Sequence, residues 1–138
     1  MEPELVLRKV ARAGAWLDDV ERRVAGPAAD AVQDDVDLAA FHLQLAVQEC
    51  VDLAAHWVAA EGWPPPQTSA AAFVTLEERA HLDPEVAARM RAAVGLRNRI
   101  AHGYADVDRG RFFAECRAGT PLIRRFLLAC GEAAVAER

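Results

Sequence analysis

The sequence predicts an all-α protein, a bundle of about five helices, and two observations carry that expectation. Thirty of its 138 residues are Ala and 13 are Leu, whereas Val, Ile and Thr together number 19, so strong helix formers outnumber the β-branched residues that favour strands. Apolar residues also recur at helical spacing between breaks rich in Pro and Gly. A chain of this length is expected to form one domain, residues 1–138, and to bury roughly 68% of the surface it exposes when unfolded. With 53% hydrophobic and 27% charged residues, its balance is that of an ordinary folded protein.

The first helix is expected over residues 3 to about 24, where Val10, Ala13, Leu17, Val20 and Val24 form a seam of alternating three- and four-residue steps. Gly26-Pro27 ends it. Asp34, Asp35 and Asp37 then place carboxylates at the positive N-terminal end of a second helix running to about residue 61. That helix is apolar around most of its circumference (Leu38, Phe41, Leu45, Val47, Val51, Leu53, Trp57), as expected of the central member of a bundle. Gly62-Trp63-Pro64-Pro65-Pro66 cannot be helical, because each proline lacks a donor and restrains the residue before it. A shorter helix follows over Ser69–Arg79. Asp83-Pro84 reads as an N-cap with proline in the first helical position, opening a fourth helix to about residue 103. Thr120-Pro121 repeats that start signal and predicts a fifth helix over residues 122–136.

No apolar run approaches the roughly 20 residues of a membrane span, and Glu2, Glu4, Asp18 and Asp19 interrupt the first twenty residues, unlike a signal peptide. The expected compartment is the cytoplasm. Cys50, Cys116 and Cys130 are odd in number and far apart, which points to small buried hydrophobes and away from a disulfide framework or a zinc site. On the second helix Gln44, Gln48, Asp52 and His56 stand at steps of four. Such a stripe reads either as a solvated edge with an i, i+4 pair or as an Asp-His acid/base pair or half a metal site.

Charge is segregated along the chain. The formal net charge of −5 disfavours nucleic acid as a partner, yet residues 84–125 carry nine basic and four acidic side chains. All nine are arginines: Arg89, Arg91, Arg97, Arg99, Arg109, Arg111, Arg117, Arg124 and Arg125. Within this stretch lies Arg97-Asn98-Arg99-Ile100-Ala101-His102-Gly103-Tyr104. An imidazole between guanidinium groups suits metal-free RNA cleavage, with one group to move protons and fixed charge to stabilise a crowded phosphate. The same residues near a helix end also read as capping and C-terminal charge.

The spacing of Arg97, His102 and Tyr104, with a polar Asn98 after the Arg, resembles the R-x4-H-x-Y motif of the HepT-like ribonuclease toxins of the HEPN superfamily. The resemblance extends over about residues 5–126, including Leu43-Gln44, Asp52-Leu53-Ala54, the Pro-rich connection and Asp106-Val107-Asp108. It implies an antiparallel helical bundle that forms a homodimer with both motifs lining one groove. It further implies metal-independent endoribonuclease activity with no cofactor, and neutralisation by a minimal nucleotidyltransferase antitoxin that transfers AMP onto the motif tyrosine. Arg97 and His102 are then catalytic, Asn98 and Arg99 supporting, and Tyr104 the modified side chain. The alternative is a non-catalytic HEPN module that serves as binding partner and acceptor substrate of a nucleotidyltransferase.

Helix geometry adds a constraint. At about 100° per residue, Arg97 and His102 diverge by about 140° on one helix. One helix therefore cannot simply aim both at one phosphate; either it loosens near Gly103 or an arginine comes from a second subunit across a twofold axis.

Overall fold

A computed structural model describes residues 1–103 and 108–136. They form five helices, α1 (Pro3–Arg23), α2 (Gln33–Ala60), α3 (Ser69–Arg79), α4 (Pro84–Gly103) and α5 (Arg109–Ala136), with one 3₁₀ turn at Ala28–Asp30. No strand occurs among the described residues. The helix α2 packs against each of the other four. Its buried positions, from Val36 through Leu43, Cys50 and Leu53 to Val58, lie on one broad stripe. Ala39, Ala40, Ala46 and Ala54 within that stripe let neighbouring helices approach closely.

The helix boundaries follow from local chemistry. Two hydrogen bonds close α2, from Trp63 N–H to the Val58 carbonyl at 3.2 Å and from Gly62 N–H to the Ala59 carbonyl at 3.1 Å. This pairing needs a left-handed residue, which Gly62 supplies at φ 74° without a Cβ penalty. Thr68 Oγ1 caps α3 by accepting from Ala71 N–H. Asp83 Oδ1 caps α4 by accepting from the N–H groups of Glu85 at 2.8 Å and Val86 at 3.2 Å, and those bonds hold its carboxyl below the usual range.

Two expectations are corrected. The last helix begins at Arg109, not after Thr120-Pro121, and Pro121 lies inside it. Its N-cap is Asp108, whose Oδ1 accepts from Arg111 N–H at 2.7 Å. Interior proline costs a helix about 3 kcal/mol through a lost hydrogen bond and a ring clash. That cost is outweighed because Phe112, Phe113, Cys116, Gly119, Ile123 and Phe126 are buried along one face on both sides of it. Thr120 is itself buried within the helix instead of capping its start. The second correction concerns α2, which is not covered all round. Leu38 and Phe41 are 36% and 54% exposed, and Leu45 is half-buried, because no helix of the chain lies over that side.

The core joins every helix: Phe73 of α3 meets Phe126 of α5 edge-on with centroids 5.2 Å apart, and Leu17, Val20, Leu53, Leu76 and Met90 are fully buried. Cys50, Cys116 and Cys130 are free and buried. Burial raises all three thiols, Cys116 to about 12.

The arginines of the second half mostly answer the acids and carbonyls of the first. Arg124 on α5 reaches Glu21 Oε1 at 2.6 Å and Asp18 Oδ1 at 2.5 Å on α1. Arg117 donates to the carbonyls of Val24, at 2.8 Å, and Gly26, closing the end of α1. Arg109 donates to the Ala31 carbonyl at 2.9 Å and to Gln33 at 2.6 Å, fastening the start of α2. The hydrogen bond from Arg124 outweighs burial and holds the Glu21 carboxyl below its ordinary 4.5. At Asp19 burial pushes upward, but hydrogen bonds from Arg23 and His42 together win and lower it.

Carboxyls depressed on folding stabilise the protein above their unfolded values, and that contribution is lost as pH falls through the lower folded values. Glu21→Gln is therefore expected to cost under about 1 kcal/mol at neutral pH, the pair being partly exposed. The gap from wild type should close as pH drops below about 4.5, measured by urea unfolding from pH 7 to 3. A gap independent of pH over that range contradicts the assignment.

Candidate active site

The C-terminal end of α4 and the N-terminal end of α5 enclose a cleft of about 400 Å³. Leu96, Arg99, His102 and Gly103 line it from α4, and Asp108, Arg111, Phe112 and Glu115 from α5. Leu96 and Phe112 are buried and form an apolar floor, while His102, Arg99 and Arg111 are exposed at its mouth. Arg99 and His102 lie three positions apart, so they project from neighbouring lines of α4. One carboxylate joins the two sides: Glu115 Oε1 accepts from Arg111 Nε at 3.0 Å, and Oε2 from Arg99 Nη2 at 3.4 Å.

Arg97 and Asn98 do not line this cleft. Arg97 turns toward α2, where Nη1 donates to Gln48 Oε1 at 2.8 Å and Nη2 to Asn98 Oδ1 at 3.3 Å. The angular divergence read from the sequence is thus realised: α4 sends His102 toward α5 and Arg97 toward α2. Tyr104, with Asp106 and Val107, lies outside the described residues.

The polar stripe of α2 is a solvated edge. Gln48 Nε2 donates to Asp52 Oδ1 at 2.9 Å, an i, i+4 pair, and Lys9 Nζ stands 3.7 Å from Asp52 Oδ2. Lys9 and Arg12 of α1 pair with Glu49 at 3.2 and 3.1 Å. His56 is half-buried, its Nε2 has no hydrogen-bond partner among the described residues, and Asp52 meets Gln48 and Lys9. No three His, Cys, Asp or Glu side chains among the described residues could hold a metal ion.

Arg111 and Glu115 are site residues that the sequence did not single out. Their i, i+4 spacing was a signal, but it has meaning only on a helix. With the fifth helix expected to start after Pro121, residues 109–119 read as a connection.

A family model described as ribonuclease HepT-like matches residues 16–130. The fold is similar to that of a tri-AMPylated HEPN toxin of Shewanella oneidensis in complex with MNT antitoxin, with TM-score 0.82 and 18% identity over 90% of this chain and 94% of that one. It is equally similar, at TM-score 0.82 and 17% identity over 91% and 96%, to a toxin–antitoxin crystal structure with AMP-PNP. A mutant MntA–HpeT toxin–antitoxin structure follows at TM-score 0.79 and 20% identity, over 90% and 95%. At these identities the likeness is one of fold. Among curated proteins none matches the sequence.

Proposed function

The chain belongs to the HepT-like ribonuclease family, and on that footing we propose that it is the toxin of a toxin–antitoxin pair, a cytoplasmic endoribonuclease that works without a metal ion. The observation that carries this reading is the cleft in which His102 stands with Arg99 and Arg111 over an apolar floor. In the proposed reaction His102 takes the proton of a ribose 2′-OH, whose oxygen then bonds to the adjacent phosphorus. The bond from phosphorus to the 5′ oxygen breaks, and that oxygen takes a proton from water and leaves as a hydroxyl, after which His102 returns its proton to solvent. Guanidinium charge stabilises the five-coordinate phosphorus between the two states.

Arg97 belongs to this chemistry only if another copy presents it, because within one chain it is held at Gln48 on the other side of α4. The surface beside it suits such a copy: the open side of α2 carries Leu38, Phe41 and half-buried Leu45 in line with Gln48. Apolar groups left exposed together on one helix face favour a twofold contact, in which every residue meets its symmetry copy. A homodimer on this face places Arg97 of both copies at the interface, and the composite site then requires the partner's His102 to reach that groove.

Control of the toxin is proposed to come from a minimal nucleotidyltransferase that transfers AMP to Tyr104. Two of the solved structures similar to this chain hold a toxin with such a partner or with a nucleotide analogue, and in one the toxin is AMPylated. Tyr104 is the only tyrosine in the chain and lies two residues from His102. A phosphodiester there adds negative charge and bulk where an RNA phosphate must sit.

Three outcomes test the reading. RNA cut by the purified protein should end in a cyclic phosphate and a 5′-OH, EDTA should not inhibit, and His102→Ala should slow cleavage by about 10²-fold or more. Protein that leaves RNA intact sinks the enzyme reading and favours a non-catalytic acceptor module. Mixing Arg97→Ala with His102→Ala subunits should restore a single composite site per heterodimer while both homodimers stay inactive; no rescue places the site within one subunit. Incubation with the cognate nucleotidyltransferase and ATP should put AMP on Tyr104, seen by peptide mass spectrometry, with loss of RNA binding and cleavage. Neutralisation with no adduct on Tyr104 shows that the antitoxin acts by occupying the groove.

A further inference from the structure

Nine arginines crowd residues 84–125, and their roles differ sharply once the chain is folded. Arg109, Arg117 and Arg124 are fastened to carbonyls and carboxylates of the first half, Arg91 to Glu77 and Arg125 to Asp83. Arg99 and Arg111 are unlike these. They come from different helices, remain 56% and 76% exposed as side chains, and converge on one carboxylate inside the cleft that holds His102.

Resting on the ribonuclease reading, we propose that Arg99 and Arg111 form a clamp for an RNA backbone phosphate flanking the scissile one, with Glu115 as the positioning residue that holds the two guanidinium groups together before RNA arrives. Two guanidinium groups brought to one cleft repel each other unless an anion lies between them. Glu115 is that anion, accepting one hydrogen bond from each arginine on separate oxygens. A phosphodiester offers the same feature, two anionic oxygens on one atom, and guanidinium binds it by the same paired donors. Each arginine carries five N–H donors, and Glu115 takes one apiece. A phosphodiester entering the cleft therefore binds donors that Glu115 leaves free, while the nearby carboxylate opposes it by charge.

The placement separates this clamp from the bond-breaking groups. Arg111 stands near the start of α5, one turn from the Asp108 cap, and Glu115 follows it by one more turn on the same face. Arg99 faces them from α4 across the cleft. A group that holds a flanking phosphate binds the substrate and the transition state alike, so its loss raises KM and leaves kcat nearly unchanged.

An ion pair that only braces α4 against α5 behaves differently from a clamp. Breaking a brace from either end has one sign of effect on RNA binding. In a clamp the arginine attracts phosphate while the glutamate competes with it, so the two substitutions have opposite signs.

The test uses the full chain carrying His102→Ala, so that RNA stays intact, and measures the affinity for a labelled single-stranded RNA of mixed sequence across a series of NaCl concentrations. Arg111→Ala should weaken binding about 5- to 20-fold at 0.1 M salt and lower the slope of log K against log salt by about 0.7, the loss of one phosphate contact. Arg111→Lys should restore the slope but only part of the affinity, since it keeps the charge and loses the fork. Glu115→Gln should tighten binding about 3- to 10-fold. Arg125→Ala, outside the cleft, should change neither quantity. With His102 intact, Arg111→Ala should raise KM by a similar factor with kcat within about twofold. Arg111→Ala and Glu115→Gln shifting affinity in the same direction, or an unchanged salt slope for Arg111→Ala, overturns the clamp while the ribonuclease reading stands. A wild-type chain that neither binds nor cuts RNA overturns both.

Discussion

The contact of one helix with all four others is the constraint from which the rest of the structure follows. A helix packed against four neighbours must present small groups where they cross, and α2 does so with Ala39, Ala40, Ala46 and Ala54 among its larger buried residues. Because α2 holds α1, α3, α4 and α5 around itself, the ends of α4 and α5 are fixed relative to each other without a long connection. The cleft lined by His102, Arg99, Arg111 and Glu115 stands where those ends meet. On α2 itself Leu38 and Phe41 face outward beside the Gln48 that holds Arg97.

Electrostatics then divides one stretch of arginines into two populations. Part of the acidic excess of the first 83 residues meets part of the basic excess of residues 84–125. Arg124 meets Asp18 and Glu21, and Arg125 meets the Asp83 cap of α4. Exposed pairs of this kind contribute little each, but Arg109 and Arg117 also satisfy carbonyls at helix ends, where an unpaired group is costly. Within a chain of net charge −5, two exposed guanidinium groups share a single carboxylate, Glu115, at one cleft.

The motif on α4 is contiguous in sequence and divided in space. A five-residue separation sends Arg97 and His102 to different sides of a regular helix, and α4 is helical through both, to Gly103. Gln48 of α2 and Glu115 of α5 take the arginines on the two sides in hand, one as an amide, the other as a carboxylate. The same helix thus presents one guanidinium toward an outward-facing apolar surface and an imidazole into a cleft.

Local chemistry determined the helical class, four of the five helices and the stops between them. The Asp83-Pro84 cap, the Gly62 turn and the seam of α1 act through neighbours within a few residues, so their outcome is written in the adjacent sequence. The motif with Arg97, Asn98, Arg99 and His102 was legible for the same reason, as was the divergence of Arg97 from His102. Long-range contact decided the rest. Thr120-Pro121 carries a sound local start signal, yet burial of the face from Phe112 to Phe126 outweighs it and carries the helix through the proline. That single outcome also hid Arg111 and Glu115, because their spacing becomes a shared face only on the longer helix. The sequence by itself determined the helical class and the places where helices break. The tertiary structure decided which residues meet, because the energy that sets α5 in register comes from apolar area buried against helices nearly a hundred residues away.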